Sequence, residues 1–219
     1  MKQLSFFLLI IPLLTYSQNR NEKYHNGAFN NNIDFFAMAK VQNKTNSNYL
    51  PGIKGSPYLY NTWNNCKIYP SDSKPNFSIP CNYNVYADQF EIKVGDDLYI
   101  LNPESVKSLI VDQKTFIPYK GPNGGEFIEL LGSNKKIRLI RIYKAKIMSV
   151  QTSTLGLHES KLNIASKDYF LTNDGELVKL PKSKSKIFDI LNLTNAQKKT
   201  FKNYNLKKTD QLITIMNSI

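Results

Sequence analysis

The chain has 219 residues, of which 41% are hydrophobic and 12% aromatic, and its formal net charge is +12. This composition excludes an intrinsically disordered chain, and the length suits one domain or a domain with a small appendage. The strong excess of positive charge predicts a surface that attracts anions.

The first 17 residues have the pattern of a secretory signal peptide. Lys2 precedes an almost wholly apolar run from Leu4 to Leu14, and small or polar residues follow up to Ser17. A membrane-spanning helix needs about 20 apolar residues, and this run is far shorter. We therefore expect cleavage after Ser17, export to the periplasm, the cell envelope or the extracellular space, and no transmembrane segment in the mature chain.

Residues 18–52 predict a loosely ordered leader, because residues 18–32 are rich in Asn and poor in apolar side chains and another polar run follows at residues 42–48. Within it, residues 33–41 are a strand or a helix, because their periodicity fits both. Turn-forming Pro and Gly residues then mark the beginning of the folded body.

Residues 53–180 predict a β-rich body, because short apolar runs alternate with turn residues at short intervals. The predicted strands are residues 66–69, 77–79, 82–86, 90–94, 98–101, 106–111, 115–119, 126–131, 136–148, 168–172 and 176–180. Residues 90–94 alternate apolar and charged side chains, so Glu91 and Lys93 are expected to face water. Apolar residues change parity after Leu139, which predicts a bulge, and residues 151–160 predict a polar connection. The expected class is α+β, with an antiparallel β-meander in an open or partly closed sheet.

Cys66 and Cys81 flank a turn-rich segment at residues 70–75. Their midpoint falls at Ser73 and Lys74, so a symmetric hairpin would place the two cysteines directly opposite each other, within disulfide range. We expect a Cys66–Cys81 disulfide that contributes about 3 kcal/mol, and two free thiols are the alternative.

Residues 181–219 predict a basic module of two or three short helices. Residues 185–191 form the first, and Thr194 with Gln197 has the spacing of a capping box. Thr209 is expected to cap the last helix. One face of that helix is expected to hold Leu212, Ile215, Met216 and Ile219.

Positive charge is concentrated in two segments. Residues 135–146 contain six Lys or Arg and no acid, and residues 179–208 contain nine Lys against Asp189 alone. The candidate anion-binding residues are Lys135, Lys136, Arg138, Arg141, Lys198, Lys199 and Lys202. An anionic glycan, an anionic lipid surface or another exported protein would suit them, and export argues against nucleic acid. A solvated face that keeps the protein soluble is the simpler interpretation.

Aromatic residues crowd into residues 49–69. Tyr58 and Tyr60 share parity beside a Pro turn, and we expect them to be exposed and available for sugar or protein contacts. Trp63 is expected to pack in the core.

The residues that catalysis and metal binding require are scarce. The two histidines, His25 and His158, fall in the leader and in the polar connection, and neither has zinc-site spacing. Asp96 and Asp97 suit a hairpin turn, while Glu126 and Glu129 have opposite strand parity. The sequence therefore assigns no catalytic, cofactor-binding or metal-binding residue.

Several short motifs resemble a family of uncharacterised secreted proteins from Gram-negative bacteria. They are Gly55-Ser-Pro-Tyr-Leu59, Trp63 with Lys67-Ile-Tyr69, Ile79-Pro80 with Tyr83-Asn84 and Tyr86, Phe90-Glu-Ile-Lys93, and Leu98-Tyr with Leu101-Asn. The resemblance runs from about Gly55 to the C-terminus, where the tail matches in pattern. It implies a β-rich body, a Lys-rich helical tail and an envelope or extracellular setting, and it carries no catalytic residues.

The sequence favours a non-enzymatic, exported binding or interaction module. Its β-rich body would supply the scaffold, and its basic strand and tail would contact the partner. A hydrolase that acts on envelope polymers through carboxylates is one alternative. A regulator of another exported protein is the other.

Overall fold

The computed structural model describes residues 52–72, 75–121, 124–151 and 158–219. The expected signal peptide at residues 1–17 lies outside these ranges. So does nearly all of the expected leader at residues 18–52, including the 33–41 segment. Across the described ranges, no helix has the length and apolar character needed to cross a bilayer.

Eleven strands and three short helices form the part of the chain that the structure describes. The strands are β1 (Ile53–Lys54), β2 (Asn64–Pro70), β3 (Phe77–Asn84), β4 (Gln89–Val94), β5 (Asp97–Ile100), β6 (Val106–Val111), β7 (Lys114–Gly121), β8 (Gly124–Ser133), β9 (Ile137–Gln151), β10 (His158–Thr172) and β11 (Leu177–Lys179). The helices are α1 (Lys184–Ile190), α2 (Asn195–Thr200) and α3 (Thr209–Asn217). The prediction of a β-rich body followed by short helices is confirmed.

The strands form one open, mixed sheet, with the order β1-β10-β9-β8-β7-β6-β2-β3-β4-β5 and with β11 paired to β10. Strands β2–β5 and β6–β10 are two antiparallel runs, but β6 pairs with β2, where Leu109 lies opposite Ile68. β1 runs parallel to β10. The prediction of a simple meander is wrong because a 3-10 turn at Pro103–Ser105 brings the chain back to the free edge of β2, where Ser71 N–H donates to the Ser105 carbonyl (3.0 Å).

Two of the hairpins have tight two-residue turns, whose residues can be recognised from the local sequence. Gly95 opens the two-residue turn between β4 and β5 with a φ of 58°. Asp112 and Gln113 form the turn between β6 and β7, with φ values of 48° and 62°. Two-residue hairpin loops favour positive φ, which Gly adopts freely and Asp tolerates better than most residues.

The longest hairpin differs from its prediction. β10 begins at His158 and pairs with β9 without interruption from His158↔Gln151 to Thr172↔Ile137. The predicted polar connection at 151–160 is therefore partly strand. This segment lacks the alternation of apolar and polar residues that marks a strand, because most side chains at this end of the hairpin are exposed, whichever face they lie on. The predicted bulge in β9 is also wrong, since the register shift lies in β8, between Leu130 and Gly132.

The sheet curls so that its inner face encloses an aromatic core. Phe90 in β4 packs edge to face against Phe127 in β8 with ring centroids 5.1 Å apart, although four strands separate β4 from β8 in the sheet order. Tyr83, Phe116 and Tyr143 complete the aromatic cluster. A second core lies where the three helices pack on β9 and β10, and a third, smaller cluster lies on the opposite side of the sheet.

The helices contribute apolar side chains to the second core. α3 buries the predicted face at Leu212, Ile215 and Met216. Thr209 is the first residue of α3 and not its cap, which is Lys208, and Ile219 is 37% exposed beyond the helix end.

The Thr194 capping box forms as predicted. The Thr194 hydroxyl accepts from the Gln197 N–H (3.3 Å), and the Thr194 N–H donates to the Gln197 side-chain oxygen (2.9 Å). These two bonds satisfy backbone donors at the start of α2.

A disulfide joins Cys66 in β2 to Cys81 in β3, with Cα atoms 5.7 Å apart, and both cysteines are buried. The cysteines do not lie directly opposite each other as predicted, because Cys66 pairs with Ile79 and Cys81 with Asn64. They occupy diagonal positions on one face, which still allows the bond. Disulfides persist in oxidising compartments, so this bond is consistent with export.

Glu91 is buried inside the sheet, so the prediction that it faces water is wrong. Its carboxylate accepts hydrogen bonds from the Tyr58 hydroxyl (2.7 Å), the Asn84 amide (2.8 Å) and the Gln89 amide (3.0 Å). A buried carboxylate needs such donors to replace water. Lys93 on the same strand is exposed, as predicted.

Candidate functional site

One predicted basic residue from each of the two charge runs lies beside α1. Lys136, in the turn between β8 and β9, lines a small cavity with Ile190 and Asn192 at the end of α1. Lys198 in α2 donates to Asp189 of α1 (2.8 Å). The two charge runs, distant in sequence, therefore lie beside the same helix.

The predicted basic residues differ in whether their charged groups are exposed or already paired with a carboxylate. Lys135, Lys136, Arg138, Lys199 and Lys202 are exposed. Their charges can be shared with a partner, whereas the ammonium group of Lys198 already has a carboxylate partner.

Arg141 is committed to an internal pair. Its Nε donates to Asp168 Oδ1 (2.7 Å) and its Nη2 donates to Asp168 Oδ2 (3.1 Å). The hydrogen bond with Asp168 raises the pKa of Arg141, and partial burial opposes this shift. Arg141 therefore already has a carboxylate partner, and anion binding at this residue stays a prediction.

An open cleft of about 550 Å³ lies where the helical module meets β10 and the end of β11, which contribute Asp168 and Leu180 to its lining. Its apolar wall comes from Ile187, Leu206 and Leu212. Its polar wall comes from Asn203, Tyr204, Asn205 and Thr209. Such a mixture can hold a ligand that has both apolar and hydrogen-bonding surfaces.

Three lysines give this cleft its charge: Lys182, Lys184 and Lys207. Lys182 and Lys207 are exposed and form no ion pair with any described residue. Lys184 donates to the Lys202 carbonyl (2.7 Å), which holds its ammonium group in place without neutralising it. Asp168, the one carboxylate that lines this cleft, is neutralised by Arg141. The cleft therefore carries a net positive charge.

The lysines that line the cleft are not the ones that were chosen from the sequence pattern. Lys182, Lys184 and Lys207 belong to the Lys-rich run at residues 179–208, but the prediction selected Lys198, Lys199 and Lys202 from it. Which lysine faces a cleft depends on how the helices pack on the sheet. A charge count does not contain that information.

A second polar cluster lies on the inner face of the sheet. The Tyr143 hydroxyl donates to the buried carboxylate of Glu129 (2.5 Å), and Lys114 Nζ donates to the Tyr143 oxygen (3.1 Å). Burial, and then the hydrogen bond to Glu129, raise the pKa of Tyr143. Each charge in this cluster has a nearby partner, so its geometry is that of a structural network.

The cleft does not supply the acid pair that glycoside hydrolysis needs. Retaining and inverting glycosidases use two carboxylates about 5 to 9 Å apart. Asp168 is the one acid in the lining of the cleft, and it is held by Arg141. Across the described ranges, no group of three or more His, Cys, Asp or Glu side chains is placed to hold a metal ion.

His158 lies at the start of β10 rather than in a loop, and it remains exposed. Its Nδ1 lies 3.3 Å from the Ser149 hydroxyl on β9. His25 lies outside the described residues. Neither the position nor the contact of His158 indicates catalysis.

The aromatic residues are placed differently from the prediction. Tyr58 and Tyr60 are half-buried, because Tyr58 donates to Glu91 and Tyr60 packs on the inner core. Trp63 is also half-buried, with its ring 5.7 Å from that of Tyr58. Tyr86, in the turn between β3 and β4, is 46% exposed. The alternation pattern that predicted strand for Tyr86 gave no sign of this turn.

Comparisons with protein-family models, with curated proteins and with solved structures find no match to this chain.

Proposed function

We propose that this protein is an exported, non-enzymatic binding module that holds an acidic glycan in the lysine-lined cleft. One observation carries the proposal: three lysines surround a cleft of about 550 Å³ whose single carboxylate is already paired with Arg141. The positive charge in the cleft is therefore available to a ligand.

The lining of the cleft favours a glycan over a simple anion. Tyr204 offers an aromatic edge beside the lysines, and its ring is held at 5.2 Å from Phe201. Asn203 and Asn205 offer amide groups that suit sugar hydroxyls. Acidic sugars carry both features that this lining matches, namely carboxylates for lysine and hydroxyls for amides.

Export belongs to the same proposal. The Cys66–Cys81 disulfide and the apolar run from Leu4 to Leu14 support a location outside the cytoplasm. The resemblance to secreted proteins of Gram-negative bacteria supports an envelope or extracellular setting. Acidic polysaccharides are accessible in both places.

Binding of oligogalacturonate, measured by isothermal titration calorimetry, tests the proposal. The double variant Lys182→Gln/Lys207→Gln should lose about tenfold in affinity or more, since two charge-assisted contacts are removed. The control Lys93→Gln/Lys186→Gln removes two exposed lysines outside the cleft, so its net charge is the same. It should bind as the unaltered protein does.

Two results would contradict the proposal. Equal losses in the two double variants would mean that overall charge, and not the cleft, attracts the glycan. Undiminished binding at high salt would show that lysine charge has no part in it, because screening weakens exposed ion pairs.

A further inference from the structure

One edge of β10 is unpaired between β1 and β11. β1 pairs with Ser160 and Lys161, and β11 pairs with residues 169–171. On that side of β10, the described part of the chain places no strand beside residues 162–167, which we call the open edge. Because β1 and β11 both lie on the side away from β9, the open edge lines a gap in the sheet that is one strand wide and about 20 Å long.

The direction of the backbone groups shows which residues face this gap. The Asp168 carbonyl accepts from the Leu180 N–H (3.2 Å), on the side away from β9. Pairing of β10 with β9 is uninterrupted, and alternate residues of an antiparallel strand turn their backbone groups to opposite edges. Ile164 and Ser166 therefore present their N–H and C=O groups to the gap, where no described residue bonds them.

The open edge is accessible to another backbone. Asn163, Ala165, Ser166 and Lys167 are exposed. Bulges and prolines, which protect many edge strands, are absent from residues 162–167. The small side chains at its centre leave room for a neighbouring strand.

The two faces of the sheet beside the gap differ in character. Ile164 packs against the inner aromatic core, and Leu162, on the same face, is buried. The other face carries Lys161 and Lys167, together with Lys179, which pairs with an odd-numbered residue of β10. These three lysines are exposed and form no ion pair with a described residue. An added strand would thus place alternate side chains beside the core and beside the lysines.

The flanking strands exclude pairing between the open edges of two copies of the chain. In each copy, β1 and β11 extend one strand beyond β10 at the two ends of the gap. If two open edges were paired, these flanking strands would occupy the same space. A single extended segment has no such flanks, so it fits the gap.

The segment of this chain that precedes β1 does not match the gap in charge. Residues 18–51 carry Arg20, Lys23, Lys40 and Lys44 against Glu22 and Asp34. This segment is net positive, and it would bring like charge to the three lysines. An acidic segment of a different protein matches them.

We propose that the open edge accepts an extended segment of another protein as an added strand, in which acidic side chains alternate with apolar ones. Ile164 and Ser166 supply two backbone donors and two acceptors, which give affinity, and the two faces select the side chains. The inference is independent of the glycan cleft, whose lining does not include residues 162–167.

Fluorescence anisotropy with a fluorescein-labelled peptide of alternating valine and glutamate tests this inference. The peptide should bind, and a peptide of alternating valine and lysine should bind at least tenfold more weakly. Lys161→Gln/Lys167→Gln should lower the affinity for the glutamate peptide about tenfold. The control Lys93→Gln/Lys186→Gln removes two exposed lysines that lie on neither β10 nor β11, and it should bind as the unaltered protein does.

A proline variant tests the backbone contact. Ser166→Pro removes an N–H that faces the gap and not β9, so the variant should keep its near-ultraviolet circular dichroism and lose peptide binding. The matched control Ser166→Ala removes the same hydroxyl and keeps the N–H. It should bind the peptide with unchanged affinity.

Amide hydrogen exchange of the unaltered protein gives a measurement that does not depend on the folding of any variant. The Ile164 and Ser166 amides should exchange rapidly in the free protein and at least tenfold more slowly with saturating glutamate peptide. The Ala165 and Lys167 amides face β9, so they should be protected in both samples.

Three results would overturn the inference: no binding of the glutamate peptide, equal binding of the two peptides, or unchanged exchange at Ile164 and Ser166 when the peptide is bound. Slow exchange at these two amides before any peptide is added would overturn it as well. Such protection would identify a second copy as the occupant if it depended on protein concentration, and another part of the same chain if it did not.

Discussion

Asp168 lies directly opposite Arg141 across the β9–β10 ladder and accepts two hydrogen bonds from its guanidinium group. On the other side of β9, Glu129 also lies opposite Arg141. The guanidinium group is therefore set in a row between two carboxylates on the inner face of the sheet. Asp168, at one end of this row, also lines the lysine-lined cleft.

Replacing Asp168 with Asn should destabilise the fold. The Arg141 and Asp168 side chains are 26% and 18% exposed, so Asp168→Asn leaves a largely buried cation without its carboxylate. We expect the free energy of unfolding to fall by about 1–3 kcal/mol in urea denaturation. Asp189→Asn, which breaks the more exposed pair with Lys198, is the control and should cost less than about 1 kcal/mol. Equal costs would contradict this assignment.

Tyr60 and Tyr143 should respond oppositely to removal of their buried hydroxyl groups. The Tyr143 hydroxyl donates to Glu129, so Tyr143→Phe leaves a buried carboxylate short of a donor and should cost about 1–3 kcal/mol. The Tyr60 hydroxyl is buried and has no hydrogen-bond partner among the described residues. Tyr60→Phe should therefore leave the free energy of unfolding unchanged or raise it. Thermal denaturation of the two variants side by side would measure the contrast.

Stability should decline at high pH. Burial raises the pKa of both Tyr60 and Tyr143 above the ordinary value of about 10. Above that pH the unfolded chain releases tyrosine protons that the folded chain retains, so rising pH favours unfolding. Each tyrosine contributes a slope of about 1.4 kcal/mol per pH unit. Urea denaturation from pH 9 upward should show a smaller slope for Tyr60→Phe/Tyr143→Phe, and an unchanged slope would sink the prediction.

The disulfide should contribute substantially to stability. Cys66→Ala/Cys81→Ala should lower the free energy of unfolding by about 3 kcal/mol, since the bond restricts the unfolded chain across a separation of 15 residues. Mass spectrometry of the native protein, purified without a reductant, should find no thiol available to alkylation. Two alkylated cysteines without a reductant would refute the bond.

Local features of the fold could be predicted because they depend on neighbouring residues. Gly95 adopts the positive φ of its turn, and the Thr194 capping box needs only a side chain three residues away. The pairing of β2 with β6 depends on contacts across about forty residues of chain. No run of apolar residues specifies that pairing, so a simple meander was the natural expectation.

The candidate site was predictable in composition and not in geometry. The Lys-rich tail indicated anion binding, yet packing of the helices on the sheet decides that Lys182 and Lys207 line the cleft and that Lys198 meets Asp189. The alternation of apolar and charged residues predicted that Glu91 faces water. Such a pattern separates the two faces of a strand, but it does not show which face other parts of the chain cover. In this curled sheet both faces are covered in places.

The junction of β2 and β6 has a consequence for how the polypeptide reaches its native state. The hairpins within each antiparallel run can form locally, starting from their tight turns. The pairing of β2 with β6 joins the two runs, and it can form only after the chain between these strands is ordered. Closure of large loops is entropically costly and slows folding. We therefore expect the pairing of β2 with β6 to be the rate-limiting step of folding. Truncating Ile68 or Leu109, which lie opposite each other in this pair, should slow refolding more than truncating a core residue within any single hairpin does.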